Sequence, residues 1–355
     1  MDTGAFNGKR VLVVGGAGFV GSNLVRLLLS GSPEVEVVVV DNLLSSEREN
    51  LPSDEARLEL RVGSIADDAI LGEIRDEFDT VFHLACFHGN QSSIHDPIAD
   101  HDNNLLTTLK LFNHLSGFKR LERVVYSGAG CAAAKKTYDA ASATTEEAPL
   151  SLDQDSPYSI SKLVGEFYAV YFHKQHGLPV VRARFQNVYG PGEVLGAGQW
   201  RGTPHTVWRN VTPTFIYKAL KGEVIPLHNA GASTRDFIFV EDICQGLIAC
   251  ALRGKPCEAY NIASGRESSI KELAEHIVSL TKSAGGFEVL PRRDWDTSGK
   301  RFGSPEKSRT ELGFEAKVPL EEGLARTVAW MQDNLPRIEG CMAKHQAQLE
   351  ALAGS

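Results

Sequence analysis

Tyr158 and Lys162 are the two residues whose types and spacing most directly suggest chemistry in this sequence. They open a run from Ser156 to Gln175 that is predicted to be a long helix, so their side chains share one face, one turn apart. A cation beside a phenol lowers the pKa of the phenol. Tyr158 could then take the proton from a hydroxyl group. The alternative is a surface pair without chemistry, because this spacing is common by chance.

A glycine-rich turn near the N-terminus has the pattern of a dinucleotide-binding site. Val11 to Val14 is predicted to be a buried strand, a turn with four glycines follows, and Leu24 to Leu29 is predicted to be helical. Glycine permits a tight turn and a close approach of the backbone to a pyrophosphate, and the helix N-terminus offers free N–H groups. The residues of this turn expected to contact the cofactor are Gly15, Gly18, Phe19, Val20 and Gly21.

Asp41 ends the next predicted strand, Val35 to Val40, and lies about 20 residues after the turn. A carboxylate at this position accepts hydrogen bonds from the adenosine ribose and would repel the 2′-phosphate of NADP. NAD is therefore the predicted cofactor, with Asn42 also in contact. The alternative is an ordinary glycine loop followed by a strand that happens to end in Asp.

Alternating strands and helices must position these residues. The further predicted strands are Leu58–Val62, Thr80–Leu84, Arg123–Tyr126 and Pro179–Ala183. The helices predicted between them are Ala69–Phe78, Asp100–Leu115 and Ser156–Gln175. This alternation predicts an α/β fold with a Rossmann-type doubly wound parallel sheet, which binds ligands at its carboxyl edge. The residues expected to complete the cofactor site are Ser64, Ile65, Leu84, Ala85, Cys86, Asn104 and Ser127.

The composition of the sequence changes after Arg184. The segment from Val188 to His228 is rich in Gly, Pro, Trp, Arg and Thr, and its hydrophobic residues show only weak periodicity. We expect loops and short elements there, over the carboxyl edge of the sheet. The prediction is an NAD-binding Rossmann domain at 1–187 and 236–262 and a smaller C-terminal substrate-binding lobe at 188–235 and 263–335. A peripheral tail with a frayed helix is predicted at 336–355.

Composition excludes several classes of function. A net charge of −8 over 355 residues argues against a nucleic-acid partner. None of the six cysteines forms a Cys-x-x-Cys pair, so neither a metal site nor a dithiol redox motif is expected. The sequence shows neither a signal peptide nor a membrane-spanning apolar run, so we expect no membrane partner and a cytoplasmic protein with reduced cysteines.

Several motifs together carry a resemblance to a known family. They are Val13–Gly21, Asp41-Asn42, Phe82–Ala85, Tyr158-x-x-x-Lys162, Arg184–Pro191, Arg235–Asp242 and Tyr260–Gly265. The chain resembles an extended short-chain dehydrogenase/reductase of the nucleotide-sugar epimerase and dehydratase type. In detail it is most similar to enzymes of bacterial O-antigen (surface polysaccharide) sugar synthesis.

The resemblance implies a UDP-, dTDP- or GDP-sugar substrate. It places Asn187 and Arg235 at the diphosphate or its flanking sugar, with Arg301 and Arg201 as further substrate-side residues; a capping amide, internal ion pairs and solvated charges are the alternatives. It also implies a homodimer that pairs the helices around Leu105–Phe112 and Leu163–Tyr171 across a two-fold axis.

The sequence departs from the family in the loop Ser127-Gly128-Ala129-Gly130-Cys131. Ala129 stands where relatives carry the Ser or Thr whose hydroxyl binds the substrate's reacting oxygen. The Asp-Glu pair of the 4,6-dehydratases is also missing there, although Glu193 or Asp139 could substitute. Cys131 falls where 3,5-epimerases of GDP-sugars carry an acid–base cysteine. Those enzymes add a lysine for which this chain offers Arg201, and a small buried hydrophobe is the alternative role for Cys131.

The function expected from these residues is an NAD-dependent nucleotide-sugar epimerase that works through a 4-keto intermediate and regenerates its NAD. A 4,6-dehydratase and a 3,5-type epimerase using Cys131 are alternatives. A cofactor-binding protein that has lost the chemistry is a further alternative, which Ala129 favours and the retained Tyr158 and Lys162 oppose.

Overall fold

Seven parallel strands form the central sheet of the computed structural model, which describes residues 3–134, 136–294, 296–297 and 299–353. The strands of the described residues, both inside and outside this sheet, are β1 (Arg10–Val14), β2 (Glu36–Asp41), β3 (Leu58–Val62), β4 (Thr80–His83), β5 (Arg123–Ala129), β6 (Val180–Phe185), β7 (Asn187–Tyr189), β8 (Ile225–His228), β9 (Thr234–Arg235), β10 (Phe237–Phe239), β11 (Ala259–Ile262), β12 (Ser268–Ser269) and β13 (Phe287–Leu290). The sheet order is β11-β6-β5-β4-β1-β2-β3. The order reverses between β1 and β4, which makes the gap beside their carboxyl ends the expected ligand site.

Helices cover both faces of this sheet. The α-helices are α1 (Phe19–Gly31), α2 (Asp68–Gly72), α3 (Asn90–His95), α4 (Pro97–Asp100), α5 (Thr107–Leu115), α6 (Gly130–Ala133), α7 (Pro157–His176), α8 (Val211–Leu220), α9 (Val240–Arg253), α10 (Ile270–Thr281), α11 (Glu306–Leu312), α12 (Leu320–Asp333), α13 (Leu335–Ala343) and α14 (Gln346–Ala353). A π-helical segment, His101–Leu106, joins α4 to α5. Short 3₁₀ turns lie at Thr3–Phe6, Arg48–Asn50, Pro204–Thr206 and Asn229–Gly231.

Strict alternation of buried residues in β1 creates the two faces. Val11 and Val13 pack with α1 and α9, whereas Leu12 and Val14 pack with α5 and α7. Both sets are fully buried, because a parallel sheet is covered on each side. The predicted Rossmann-type doubly wound fold is therefore confirmed. The seventh strand, β11, lies inside the predicted domain but was not predicted as a strand.

A second hydrophobic core lies over the carboxyl edge of the sheet. It is built from β7, β8 and β10 together with α8, α10, α12 and α13. The structure makes one prediction more specific here and corrects another. Val188–His228 contains the ten-residue helix α8 as well as loops. The tail is not simply peripheral, because Ile338 and Cys341 of α13 are buried in this core. The exact domain limits remain a prediction.

Three local predictions were also inaccurate. The helix predicted over Ala69–Phe78 ends at Gly72, although Ile74 and Phe78 beyond it are buried in the sheet's core. The fifth strand continues past Tyr126 to Ala129, and the supposed loop residues Gly130 and Cys131 begin α6. The longer β5 matters for function, because it fixes Ala129 at the last position of a central strand.

Candidate active site

One cavity of about 750 Å³ lies between the carboxyl edge of the sheet and the second core. Its walls come from both parts of the chain. The sheet side includes the ends of β1, β2, β4 and β5, and the other side includes α8, β8 and the segment around Arg235. Its size and position at the strand-order reversal are those of a cofactor-and-substrate site.

The glycine turn leaves room for a phosphate group against the backbone. Gly15 has a φ of +82°, and a Cβ placed there would lie 2.5 Å from the backbone nitrogen of Ala85. A Cβ on Gly21 would collide with the carbonyl oxygen of Gly15. Gly18 caps α1 without any side-chain hydrogen bond, so the first-turn N–H groups of the helix face the cavity. These features fit the pyrophosphate of a dinucleotide.

Asp41 lies at the end of β2 and is almost fully buried. Its Oδ2 accepts a hydrogen bond from the Ala17 backbone N–H at 2.9 Å. Its Oδ1 accepts from the Leu43 N–H and from the Ser46 hydroxyl, both at 2.9 Å. Burial raises the pKa of the Asp41 carboxyl, and these hydrogen bonds act in the opposite direction. The carboxylate thus ties the glycine turn to the following loop and lines the cavity with its remaining acceptor capacity.

Most residues predicted to contact the cofactor line this cavity. They are Gly15, Gly18, Phe19, Val20, Gly21, Asp41, Asn42, Ser64, Ile65, Leu84, Ala85, Cys86, Ser127, Tyr158 and Lys162. The strand ends place them there, since Leu84 to Cys86 follow β4 and Ser127 lies in β5. Their individual roles remain predictions.

The helix that carries Tyr158 and Lys162 begins where the sequence predicted. Pro157 occupies its first turn, and the Ser156 hydroxyl accepts a hydrogen bond from the Ser159 N–H. Lys162 is buried, and its Nζ donates to the Ser127 carbonyl oxygen at 3.0 Å. The lysine is therefore fixed against β5, one helical turn from the phenol.

The predicted lowering of the Tyr158 pKa requires the positive nicotinamide ring of NAD as well as Lys162, and it stays a prediction for that complex. Burial raises the pKa of Tyr158 well above its ordinary value, and Cys86 and Cys131 add to this effect. Burial also lowers the pKa of Lys162. The reason is that the site removes water from both groups, which disfavours their charged forms. We expect the positive nicotinamide ring of NAD to supply the further charge that activates the phenol.

Ala129 and Cys131 lie together beside the phenol. Ala129, Ala132 and Leu163 form a small buried cluster, against which Cys131 and Tyr158 pack. Ala129 and Cys131 also line the cavity. The end of β5 thus presents a methyl group and, through α6, a thiol to the space next to Tyr158.

Asn187, Arg235 and Arg301 line the cavity, and their predicted contact with the substrate stays a prediction. Arg235 donates from Nη1 to the carbonyl oxygens of Thr234 and Gly299, at 2.7 and 2.8 Å. Burial lowers the pKa of Arg235 to about 9, and the Arg301 cation contributes. Within the ranges that the structure describes, the buried Nη1 of Arg301 has no hydrogen-bond partner.

Arg235 and Asp236 do not form the internal ion pair that was the alternative to a substrate contact. The Asp236 carboxylate instead accepts hydrogen bonds from the backbones of Ser264, Gly265 and Gly303 and from the Ser264 hydroxyl. This leaves the Arg235 side chain directed along the cavity wall, with Asp296 as an acidic neighbour at 4.0 Å.

Asn104 and Arg201, which were predicted to contact the cofactor and the substrate, are not among the residues that line the cavity. The Asn104 amide accepts from the Phe87 N–H at 2.7 Å and donates to the Phe87 carbonyl at 3.3 Å. Arg201 Nη1 donates to the His88 carbonyl oxygen at 2.9 Å. Both side chains therefore support the loop after β4 from behind. The role of Arg201 in place of the expected lysine stays a prediction, and the Cys131 charge raises the pKa values of Lys162 and Arg235.

Sequence reasoning missed several residues of the cavity wall. They include His88, Gln91 and Ser92, whereas Glu193, which the sequence offered as a possible acid, also lines the wall, as does Arg209. Asp139, in contrast, is exposed and outside the wall. The signal for His88 to Ser92 was their position directly after β4, at the same sheet edge as Cys86. Glu193 and Arg209 lie in loops. The course of a loop cannot be predicted from a periodic pattern of hydrophobic residues.

No helix among the described residues is long and apolar enough to cross a membrane. Within the same residues, no group of three or more His, Cys, Asp or Glu side chains could hold a metal ion.

Comparison with known proteins agrees with this site. The sequence model of the NAD dependent epimerase/dehydratase family matches residues 11–263. The crystal structure of the Bordetella bronchiseptica enzyme WbmF in complex with NAD+ and UDP has a TM-score of 0.87 and 59% identity, over 97% of this chain and 98% of that chain. A dTDP-glucose 4,6-dehydratase from Streptomyces niveus is 31% identical over 92% of this chain and 93% of its own length.

A putative UDP-glucose 4-epimerase from Methanocaldococcus jannaschii is 28% identical over 91% of this chain and 99% of its own length. The relatives thus include both epimerases and dehydratases of nucleotide sugars. The family match covers the glycine turn, Asp41, Tyr158 and Lys162. The chain therefore belongs to the NAD-dependent epimerase/dehydratase family, and NAD is its cofactor.

Proposed function

We propose that this protein is a nucleotide-sugar epimerase that works through a 4-keto intermediate and belongs to surface-polysaccharide sugar synthesis. The observation that carries the proposal is the Tyr158–Lys162 pair next to a β5–α6 segment without any carboxylate. The pair supports oxidation and reduction at the sugar. The missing acids remove the groups that a 4,6-dehydratase would use for elimination of water.

The other acids of the cavity wall lie outside the β5–α6 segment, where the dehydratases of the family carry their acids. Asp41 is engaged with the loop at the end of β2. Glu193 is bonded to Asn210, at the start of α8, and Asp296 neighbours Arg235. The retained Tyr158 and Lys162 oppose a protein that only binds the cofactor. Similarity to WbmF, whose structure contains NAD+ and UDP, supports a nucleotide-sugar substrate.

The residues of this chain divide the work as follows. Asn187, Arg235 and Arg301 hold the diphosphate and its flanking sugar on the wall opposite the sheet. Tyr158 accepts the proton of the C4 hydroxyl and returns it at the end, while Lys162 keeps a positive charge one turn away. When bound, NAD supplies the hydride acceptor at C4, the later hydride donor, and a positive charge beside the phenol. Reduction on the opposite face then inverts a carbon without net redox change.

A substrate panel tests this function. The protein is incubated with UDP-, dTDP- and GDP-sugars, and products are followed by mass spectrometry and NMR. We expect a product of unchanged mass and new stereochemistry, and Tyr158→Phe should lower kcat by at least about 100-fold, the usual effect of losing a general acid–base group. Loss of water from the product would instead make the enzyme a dehydratase. No turnover of any member would leave only cofactor binding.

A 3,5-type epimerase is the second candidate, because Cys131 lies in the cavity wall beside Tyr158. A thiolate there could remove a proton from the carbon next to the 4-keto group. Turnover in deuterated water distinguishes the two routes. Deuterium at C3 or C5 in the wild type, lost in Cys131→Ala, would support this candidate. Incorporation at the wild-type rate in Cys131→Ala, or none in the wild type, would reject it.

A further inference from the structure

The segment after β4 places the His88 imidazole in the cavity wall next to the phenol of Tyr158. The two ring centroids are 6.0 Å apart, and the ring planes meet at 69°. The imidazole is partly exposed because it faces the cavity. Within the described ranges, its nitrogen atoms have no hydrogen-bond partner. It is thus a polar group with free capacity beside the residue proposed to move the proton.

The surroundings of His88 keep its ring neutral. Burial, with the cations of Arg201, Arg209 and Lys162, lowers the pKa of His88 to about 3. A neutral imidazole has one N–H donor and one acceptor nitrogen. Such a ring can donate a hydrogen bond to a carbonyl oxygen without giving up its proton, as the neutral histidine of triosephosphate isomerase does.

Two neighbours at the start of α3 have the same property. The Oε1 of Gln91 and the Oγ of Ser92 are buried and have no hydrogen-bond partner among the described residues. Both residues line the same cavity. Buried polar atoms are normally paired in folded proteins. Two such atoms beside the partly exposed His88 imidazole indicate a wall that is completed by the polar groups of a ligand.

The backbone of His88 is held rigidly relative to Tyr158. The Arg201 guanidinium bonds the His88 carbonyl and lies 5.2 Å from the ring centroid of Phe87. Asn104 bonds both backbone groups of Phe87 and donates to Asp100 at 2.7 Å. Asp100 in turn accepts a hydrogen bond from Ser161 of α7, which lies between the two catalytic residues.

These contacts define a chain of positioning residues from α7 to the loop. Asn104 lies in the π-helical segment, a distortion that often marks a functional site. Substrate-supporting groups must be held to within a fraction of an ångström to act on a transition state. The hydrogen bonds that hold Phe87 and His88 can position the His88 ring in this way.

We propose that His88 donates to the substrate's reacting oxygen the hydrogen bond that Ala129 cannot provide. The inference rests on the proposed function, because it concerns the oxygen whose proton Tyr158 accepts. As the C4 hydroxyl becomes a ketone, its proton moves to Tyr158, and the N–H of His88 stays on the ring while bonding the oxygen. His88 is thus a catalytic residue that stabilises charge on oxygen, and not a proton carrier.

The test is a double-variant rescue. His88→Ala should lower kcat by roughly 100-fold with a small change in KM, which is the usual effect of removing one oxygen-stabilising donor. Ala129→Ser in the His88→Ala background should restore roughly tenfold of that loss, since a hydroxyl returns to the site. His88→Asn, which keeps an N–H donor, should lie between the wild type and His88→Ala. His276→Ala, on α10 and paired with Glu321, is the matched control.

A binding measurement separates this inference from the proposed function. Calorimetry compares the panel sugar that the wild type binds most tightly with the matching nucleoside diphosphate. His88→Ala should weaken the sugar nucleotide severalfold and leave the nucleoside diphosphate unchanged, whether or not any panel member turns over. The inference is overturned if His88→Ala binds both like the wild type, or if it retains turnover within twofold. Failure of Ala129→Ser to raise the activity of His88→Ala would overturn it equally.

Discussion

Two carboxyl groups of the cavity wall show how placement sets the state of a residue. Asp41 receives hydrogen bonds on both oxygens, from Ala17, Leu43 and Ser46. Glu193 is equally buried, but only its Oε1 is paired, with the Asn210 amide. Within the described part of the chain, its Oε2 has no partner. The fully paired Asp41 carboxyl is suited to bind a ligand as an anion. The half-paired Glu193 carboxyl is suited to be protonated part of the time.

Glu193 should make the free energy of unfolding depend on pH. Burial raises the pKa of Glu193 to about 7 from its ordinary value of 4.5. Its contribution to stability is therefore fully present below pH 4.5 and is lost as pH rises through about 7. Glu193→Gln cannot ionise and can still accept from Asn210. From pH 5 to pH 8, the variant should gain roughly 3 kcal/mol of stability relative to the wild type.

Urea unfolding at several pH values measures this difference. Glu34→Gln, at an exposed position, provides the matched control and should follow the wild type throughout. Parallel curves for the wild type and Glu193→Gln would show that the carboxyl keeps its ordinary ionisation in the fold.

Asp41 should decide which dinucleotide binds. Its carboxylate lies where the adenosine ribose is expected, so a 2′-phosphate would meet like charge. We expect NAD to bind the wild type roughly 100-fold more tightly than NADP, a difference of about 3 kcal/mol. Asp41→Asn removes the charge and should narrow that ratio, although it also weakens the loop held by Ser46. Fluorescence titration gives both dissociation constants, and equal affinities in the wild type would reject the role of Asp41.

At the scale of elements, α7 is the part on which the chemistry depends, and a buried ion pair fixes it to the sheet. Glu166 is one turn beyond Lys162 and is almost completely buried. Its carboxylate accepts hydrogen bonds from Arg184 Nε and Nη2, both at 2.9 Å, and from Arg182 Nη1 at 3.1 Å. Both arginines lie on β6, so the pair sets the rotation of the helix against the strand.

Glu166→Gln should destabilise the fold by about 3–5 kcal/mol, because it leaves the buried Arg184 without its counter-charge. The measurement is urea unfolding followed by circular dichroism. Glu306→Gln, which breaks an exposed pair with Arg309, should cost less than about 1 kcal/mol. A loss of less than about 1 kcal/mol in Glu166→Gln would mean that packing alone holds α7.

The central elements could be predicted because their patterns are strong. β1 and β2 are runs of buried, mostly β-branched residues, and α7 begins with a capping serine and Pro157. α8 was missed because Pro213 and several β-branched residues give it little helical propensity; tertiary packing of Phe215 and Ile216 holds it instead. Weak local preference overridden by packing explains such errors.

Side-chain direction was the harder part of the site to predict. The sequence predicted that Asn104 and Arg201 contact the ligands. In the structure their side chains bond the backbone of Phe87 and His88 instead. Nothing in a residue type tells which way it points when both sides of a loop are polar. His88 itself was missed because its role depends on Tyr158, which is 70 positions away and meets it only in the fold.

At the scale of the whole molecule, one apolar stripe lies open on the surface of α4 and α7. Ile98 is 70% exposed, and Ile160, Phe167 and Tyr171 are each about half exposed. Leu111, Phe112 and Leu163, which the sequence prediction assigned to the dimer helices, are buried within the subunit. An exposed patch of large apolar residues is typical of an interface. We therefore expect a two-fold dimer through α4 and α7.

Phe167→Glu should turn this dimer into a monomer, because it places a charge at the centre of the stripe. Light scattering at micromolar concentration measures the mass. Val289→Glu, at the 67% exposed position on β13, is the control and should leave the dimer intact. A monomeric wild type at that concentration would reject the interface.

The loop between β2 and the Arg48–Asn50 turn is fastened by parts of the chain far from the sheet. Arg209 donates to the Ser45 carbonyl at 2.6 Å, and Lys344, just beyond α13, pairs with Glu47 at 2.8 Å. Arg337 of α13 bonds the Asn50 side chain, and the Asn50 amide donates to the Ala17 carbonyl at 2.7 Å. The loop beside the expected adenosine site is therefore held by Arg209 and by residues of and beyond α13.

This fastening has a consequence for how the enzyme works in a cell. We expect that a dinucleotide leaves only after several of these bonds open together, which would give it a residence time much longer than one catalytic cycle. The protein should carry its NAD through purification, and heat denaturation followed by chromatography should release about one equivalent. Such an enzyme would use the same molecule of cofactor over and over, and its rate would be insensitive to the ratio of NAD to NADH around it.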